Sequence, residues 1–197
     1  MRQGLFTLLR ANAESSGRAC AVSSLVFQAV TGEAVRGSRE AWTDVWLAAS
    51  NAGGAIDFSE TVGAEQVGPL VDVELERAAA GESIVGVLCE PEGRKIAFAV
   101  LEKPRSPLQQ HWRRLARVMV HPDFQGIGIG AYLVGQMHEE ARRLGLQQLR
   151  LTVRGGEGLE KFYGALGYRV VGCHPDGVLI GPGQYRDEVT MVVRLIE

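Results

Sequence analysis

The sequence predicts an α/β (α+β) domain built on a mixed sheet, and three features carry that expectation. Two β-rich runs, residues 83–89 and 95–101, flank the turn-forming Glu90-Pro91-Glu92-Gly93 and read as a hairpin. After the hairpin, strands and helices alternate to the C-terminus. In the longest helical stretch, Ile129, Leu133, Val134, Met137 and Leu144 form one apolar stripe. A hairpin requires antiparallel neighbours and strand–helix alternation favours parallel ones, so the sheet is expected to be mixed. The 197 residues, 46% hydrophobic and 22% charged, have ordinary globular usage and suffice for one sizeable core. A single domain over 1–197 follows, with residues 1–20 as an N-terminal extension that leans helical.

In chain order, residues 21–30 read as a strand and 38–50 as a helix with Ser38 at its N-cap, lacking a capping box because Ala41 stands three positions on. Residues 51–58, NAGGAIDF, form a glycine-containing loop, and 64–80 a second helix stopped near Gly81. The hairpin follows, then a strand over 115–120, a glycine turn and the striped helix, in which Glu139 faces Arg143 and Gly145 is the C-terminal stop. Residues 148–153 alternate Leu149, Leu151, Val153 against Gln148, Arg150, Thr152, the mark of a two-faced strand. A short helix over 158–166 and a strand over 168–171 come next. Turns at Pro175-Asp176-Gly177 and Gly181-Pro182-Gly183 precede a last strand over 189–195.

Charge and cysteine usage exclude several roles. A net charge of −2 argues against a broad basic surface for nucleic acid. The run from Lys103 to Arg117 carries Lys103, Arg105, Arg113, Arg114 and Arg117 with no acidic residue, which reads either as a solvated loop and strand edge or as counter-charge for an anionic ligand. Cys20, Cys89 and Cys173 are too widely spaced for a disulfide framework or a zinc site, and fit a reducing, cytoplasmic setting. The apolar run 4–9 ends at Arg10, too short for a signal core or a membrane span.

The chemistry concentrates at Gln125-Gly126-Ile127-Gly128-Ile129-Gly130, between a strand and a helix. Bare backbone there lets a ligand approach, and a helix N-terminus offers free N–H donors and a positive dipole end, so phosphate groups are the natural guest. A P-loop would need Lys-Ser/Thr after the last glycine, where Ala131-Tyr132 stands. A dinucleotide fingerprint would need an acid about 20 positions on, and the strand over 148–154 has no carboxylate.

Gln125, Gly128 and Gly130 instead match Gln/Arg-x-x-Gly-x-Gly/Ala, and LEKFYGALGYRVVG over 159–172 supplies a second motif, Phe-Tyr-x-x-Leu-Gly-Tyr/Phe. In both, over roughly residues 80–195, the sequence resembles the GNAT N-acetyltransferase superfamily, and more loosely, through residues 51–58 and 175–195, its tabtoxin-resistance-type branch. The resemblance implies a mostly antiparallel sheet with a splay between two central parallel strands, flanked by helices. It implies acetyl-CoA as cosubstrate, pantetheine pairing with Val118, Met119 and Val120, and pyrophosphate on the N–H groups of Gln125, Gly126, Ile127, Gly128, Ile129 and Gly130. The Val120 N–H would polarise the thioester carbonyl, and Tyr163, the motif tyrosine, would protonate the departing thiolate.

The general base is left open. Arg114 occupies the place of a glutamate found in some relatives, Gly156 that of a motif asparagine, and Thr152 that of an acid. Glu90, Glu102, His111, His121, Asp123 and an ordered water are the candidates. The expected function is transfer of acetyl to a primary amine, with residues 51–58 and 185–188 forming the acceptor groove. The alternatives are a non-catalytic acyl-CoA sensor and acetylation of protein N-termini or lysines. A small-molecule acceptor, compatibility with a homodimer, and no metal, nucleic-acid or membrane partner complete the expectation.

Overall fold

The computed structural model describes residues 24–54 and 56–196; the expected N-terminal extension lies outside them. Its elements are β1 (Val26–Val30), α1 (Arg39–Asn51), α2 (Ala64–Ala79), β2 (Ser83–Cys89), β3 (Lys95–Glu102), β4 (Trp112–Val120), α3 (Ile129–Arg143), β5 (Gln148–Arg154), α4 (Leu159–Ala165), β6 (Arg169–Gly181) and β7 (Gln184–Arg194). One seven-stranded sheet runs β1-β2-β3-β4-β5-β7-β6. Every neighbouring pair is antiparallel except β4 and β5, which are parallel.

Strand alternation divides the buried residues between two cores. Ala97, Ala99 and Leu101 of β3 face a core under α3 and α4, while Phe98 and Val100 face one under α1 and α2. In β5 and β7, Leu149, Leu151, Val153, Val189, Met191 and Val193 all point to the α3 side. Their alternates, among them Thr152, Arg154 and Glu188, therefore stand on the opposite face. The α3 stripe is buried at Ile129, Leu133, Val134 and Met137, but Leu144 is 41% exposed, because it caps the helix instead of continuing it. Gly145, at φ +73°, closes the helix end as expected.

Several sequence expectations are corrected. Arg143 pairs with Glu140, and Glu139 with Arg142, because positions three apart adjoin on a helix as positions four apart do. The strand expected over 168–171 runs on through Gly181, and the last strand begins at Gln184. Pro175-Asp176-Gly177 is a bulge, not a turn: the register passes from His174–Glu188 to Val178–Arg186, with Asp176 left-handed and its N–H bonded to Asp187 Oδ1 at 3.1 Å.

Candidate functional site

The parallel pair β4–β5 is registered over only three residues, Trp112–Arg114 against Gln148–Arg150. Beyond Arg114 the strands part, and the wedge becomes a cleft of about 920 Å³ lined by both strands, the α3 N-terminus, α4, and residues 54 and 56–59. The cause lies in β4. Phe98 faces Met119 and Val100 faces Ala116, so Ala99 alone opposes both Arg117 and Val118, and this bulge bends β4 just past its last contact with β5.

Arg117 holds the bulge with left-handed backbone at φ +53°, which is rare for a residue with a Cβ. Its guanidinium bonds Asp57, donates from Nε to Glu74 Oε1 at 3.3 Å, and lies 5.0 Å over the Trp46 ring. Burial alone would lower the Arg117 pKa. Hydrogen bonds to and charges of Asp57 and Glu74 outweigh it and hold the group charged. Of the basic run read in the sequence, Arg114 is likewise taken, pairing with Glu102 at 3.5 Å, so these two side chains serve the protein's own carboxylates.

At the open end of β4, His121 N–H donates to Ile96 O at 2.9 Å, which makes Ala97 and Val120 a pair not bonded to each other. The main-chain groups of Val120 therefore turn toward β5 and the wedge, whereas those of Met119 turn to Phe98. The Val120 carbonyl accepts a 2.9 Å bond from Gln125 Nε2, so the motif glutamine braces the loop against the strand. Gln125, Gly126, Gly128 and Gly130 line the cleft together with Val118, Met119 and Val120. Ile129 buries its side chain in the α3-side core and the partly buried Ile127 packs against that core, so neither side chain lines the cleft. Gly126 (φ +78°) and Gly128 (φ +91°) are both left-handed, a Cβ on Gly126 would stand in open space, and among the described residues no side chain caps α3. Its first N–H groups are thus free to bind an anion.

Tyr163, on α4, lines the same cleft and is 8% exposed. Its ring is edge-on to Phe162 at 4.9 Å and to Tyr168 at 5.5 Å, and among the described residues its hydroxyl has no hydrogen-bond partner. Burial pushes the phenol up to about 12, so it is a neutral donor at ordinary pH. Behind it the Tyr168 hydroxyl meets His138 Nε2 at 3.1 Å.

Burial first, then nearby Arg142, depresses His138 to about 4. An unfolded histidine near 6.5 binds a proton that the folded one refuses, so this group's stabilisation is present above pH 6.5 and lost as pH falls toward 4. The loss amounts to about 3 kcal/mol. His138→Gln, which can still bond Tyr168, is expected to flatten the decline in urea midpoint between pH 6.5 and 4.5. An unchanged slope would assign the acid sensitivity elsewhere.

None of the five base candidates lines the cleft. Glu102 is tied to Arg77 and Arg114 beside the closed end of the wedge, and His121 Nδ1 accepts the Asp123 N–H at 3.3 Å. Among the described residues, the acidic ones that do line it are Asp57 and Glu188, which periodicity could not single out because they come from a loop and from the exposed face of a late strand. Parts of both expected acceptor segments, 51–58 and 185–188, reach the cleft.

Residues 81–170 match the family model described as an acetyltransferase (GNAT) domain. No curated protein matches the chain significantly. Among solved structures, a protein provisionally named a phosphinothricin N-acetyltransferase superposes with TM-score 0.71 at 17% identity, covering 88% of this chain and 100% of that one. A provisionally named acetyltransferase from Salmonella typhimurium, solved with its cofactor acetyl-CoA, gives 0.68 at 22%, covering 88% and 95%. A ribosomal-protein-alanine N-acetyltransferase from Brucella melitensis gives 0.66 at 22%, covering 86% and 99%. The match to the acetyltransferase (GNAT) domain thus lies over residues 81–170, on a splayed sheet that shares the fold of these solved acetyltransferases.

Proposed function

We propose that this protein transfers acetyl from acetyl-CoA directly to a primary amine of a small molecule, an antibiotic or a metabolite, with Tyr163 as general acid. The observation that carries the reading is the convergence on one wedge of an uncapped helix N-terminus, an inward-facing Val120 main chain and a buried phenol. Likeness to a protein named for phosphinothricin supports the tabtoxin-resistance-type branch. Unbridged Cys89 and Cys173 fit a cytoplasmic setting.

Acetyl-CoA supplies an activated thioester when bound. The N–H groups from Gln125 to Gly130 hold its pyrophosphate, and Val118, Met119 and Val120 form the strand wall along its pantetheine. The Val120 N–H is aimed where negative charge develops. Tyr163 holds a proton at its hydroxyl for the departing sulfur. A phenol near 12 is a weak donor to an ordinary thiol near 8.5, but the burial that raises the phenol also disfavours a thiolate beside it, which narrows the gap.

The test is thiol release from acetyl-CoA against a panel of amines, amino acids and peptides. Acetylated small amines are expected. A folded protein that binds the cosubstrate and acetylates nothing overturns the reading in favour of an acyl-CoA sensor, and preference for peptides would favour a protein acetyltransferase.

The loop has its own check. Gly126→Asp places a residue that tolerates left-handed backbone, and a negative charge, where the pyrophosphate rests. The KM for acetyl-CoA is expected to rise about tenfold or more with the fold unchanged by circular dichroism, as loss of a charge-assisted contact implies. An unchanged KM would move the pyrophosphate elsewhere.

A further inference from the structure

We propose that Glu188 is the acceptor-binding residue, taking the ammonium of an amine that carries one positive charge on an apolar body. The inference rests on the acetyl-transfer reading above and names the substrate class of that site. Among the described residues, five charged ones line the cleft: Asp57, Arg114, Arg117, Arg154 and Glu188. Four are already satisfied within the protein. Arg117 holds Asp57 and Glu74, Arg114 pairs with Glu102 at 3.5 Å, and Arg154 pairs with Glu157 at 3.3 Å. Among the described residues Glu188 has no ionic or hydrogen-bonding partner, although Arg154 on β5 and His174 on β6 are its register neighbours. A carboxylate left unpaired on a cleft wall is a ready counter-charge for a cation.

Its orientation is built in. Val189, Met191 and Val193 face the α3-side core, so Glu188 stands on the other face of the sheet. Asp57 and Phe58 enter the cleft from the loop after α1, and α1 packs on that same face. The β6 bulge fixes the base of the side chain, because a Cβ on Gly177 would lie 3.0 Å from the Glu188 Cβ.

Chemistry around the carboxylate narrows the acceptor. Ile56 and Phe58 from the loop, with Val178, Leu179 and Ile180 from β6, make the neighbouring wall apolar. One negative charge beside an apolar wall suits one ammonium and leaves the further charges of a polyamine unmatched. A zwitterionic amino acid is disfavoured as well. Arg114, the guanidinium with a shared partner, registers with Arg150, four residues from the Arg154 that faces Glu188, or about 13 Å along the strand. An α-amino acid cannot span that distance.

The test is calorimetric binding to the full chain saturated with coenzyme A, using 2-phenylethylamine as probe and 2-phenylethanol, phenylalanine and spermidine as comparators. The amine is expected to bind best, and Glu188→Gln to weaken it about 10- to 100-fold, the range of a hydrogen bond to a charged group. Affinity for 2-phenylethanol and the KM for acetyl-CoA should stay within about twofold, which a folding defect would not allow. Unchanged amine affinity in Glu188→Gln, no amine binding by the wild type, or tighter binding of any comparator overturns the inference. The two readings fail separately. Amine binding that depends on Glu188 without acetyl transfer would sink the enzymatic reading alone, and acetyl transfer indifferent to Glu188→Gln would sink this inference alone.

Discussion

Tyr163→Phe is expected to lower kcat about 10²- to 10⁴-fold, the usual contribution of a positioned proton donor, while the KM for acetyl-CoA stays close to the wild-type value. The substitution is clean because the ring contacts with Phe162 and Tyr168 survive and the hydroxyl has no partner among the described residues. Its second readout is alkaline stability. Burial raises the folded phenol to about 12 against about 10 unfolded, so the unfolded chain releases the proton first. Stabilisation from this group is complete below pH 10 and is lost as pH climbs through 12, by about 1.4 kcal/mol per unit. Tyr163→Phe should remove that share of the decline in urea unfolding between pH 10 and 11. Unchanged kcat would show that the phenol is a packing residue and that the sulfur leaves without its proton.

Arg117→Ala is expected to destabilise the fold by about 3–5 kcal/mol, since it strands a buried carboxylate. Glu74 is 3% exposed, its Oε1 accepts only from Arg117, and its Oε2 has no partner among the described residues. Loss of the contact over Trp46 adds about 0.5–2 kcal/mol. Arg117→Gly separates backbone from side chain: it removes the same ion pairs but accepts φ +53° freely, so it should be about 1 kcal/mol more stable than the alanine variant. Both should loosen the bend that opens the wedge, raising the KM for acetyl-CoA. Guanidinium chloride unfolding checks the order. A loss under about 0.5 kcal/mol in Arg117→Ala, the range of ordinary surface changes, would mean that the bulge is held by the sheet alone.

Local patterning determined much of this molecule. The hairpin over 83–101, the stripe on α3, the two-faced β5 and the glycine turn before α3 were legible, because each follows from spacing along the chain and a preference for burying one side. The paired motifs pointed to the family for the same local reason. Periodicity reports that a face is covered, however, and not what covers it. Sheet order, the three-residue contact of β4 with β5, and the continuation of β6 through Pro175-Asp176-Gly177 were decided only when strands met their partners.

The site's electrostatics were hidden for a related reason. Asp57, Glu74 and Arg117 come from a loop, a helix and a strand, and nothing near Arg117 in the sequence announces left-handed backbone. Glu188 is one more polar residue on an alternating strand until every other charge in the cleft has been seen to hold a partner. The sequence by itself thus determined the elements, their buried faces and the bare main chain of the glycine loop before α3, all set by interactions within a few residues. Tertiary structure alone decided where the sheet parts and which charge is left over, since both depend on pairing between segments far apart in the chain, whose free energy no local window contains.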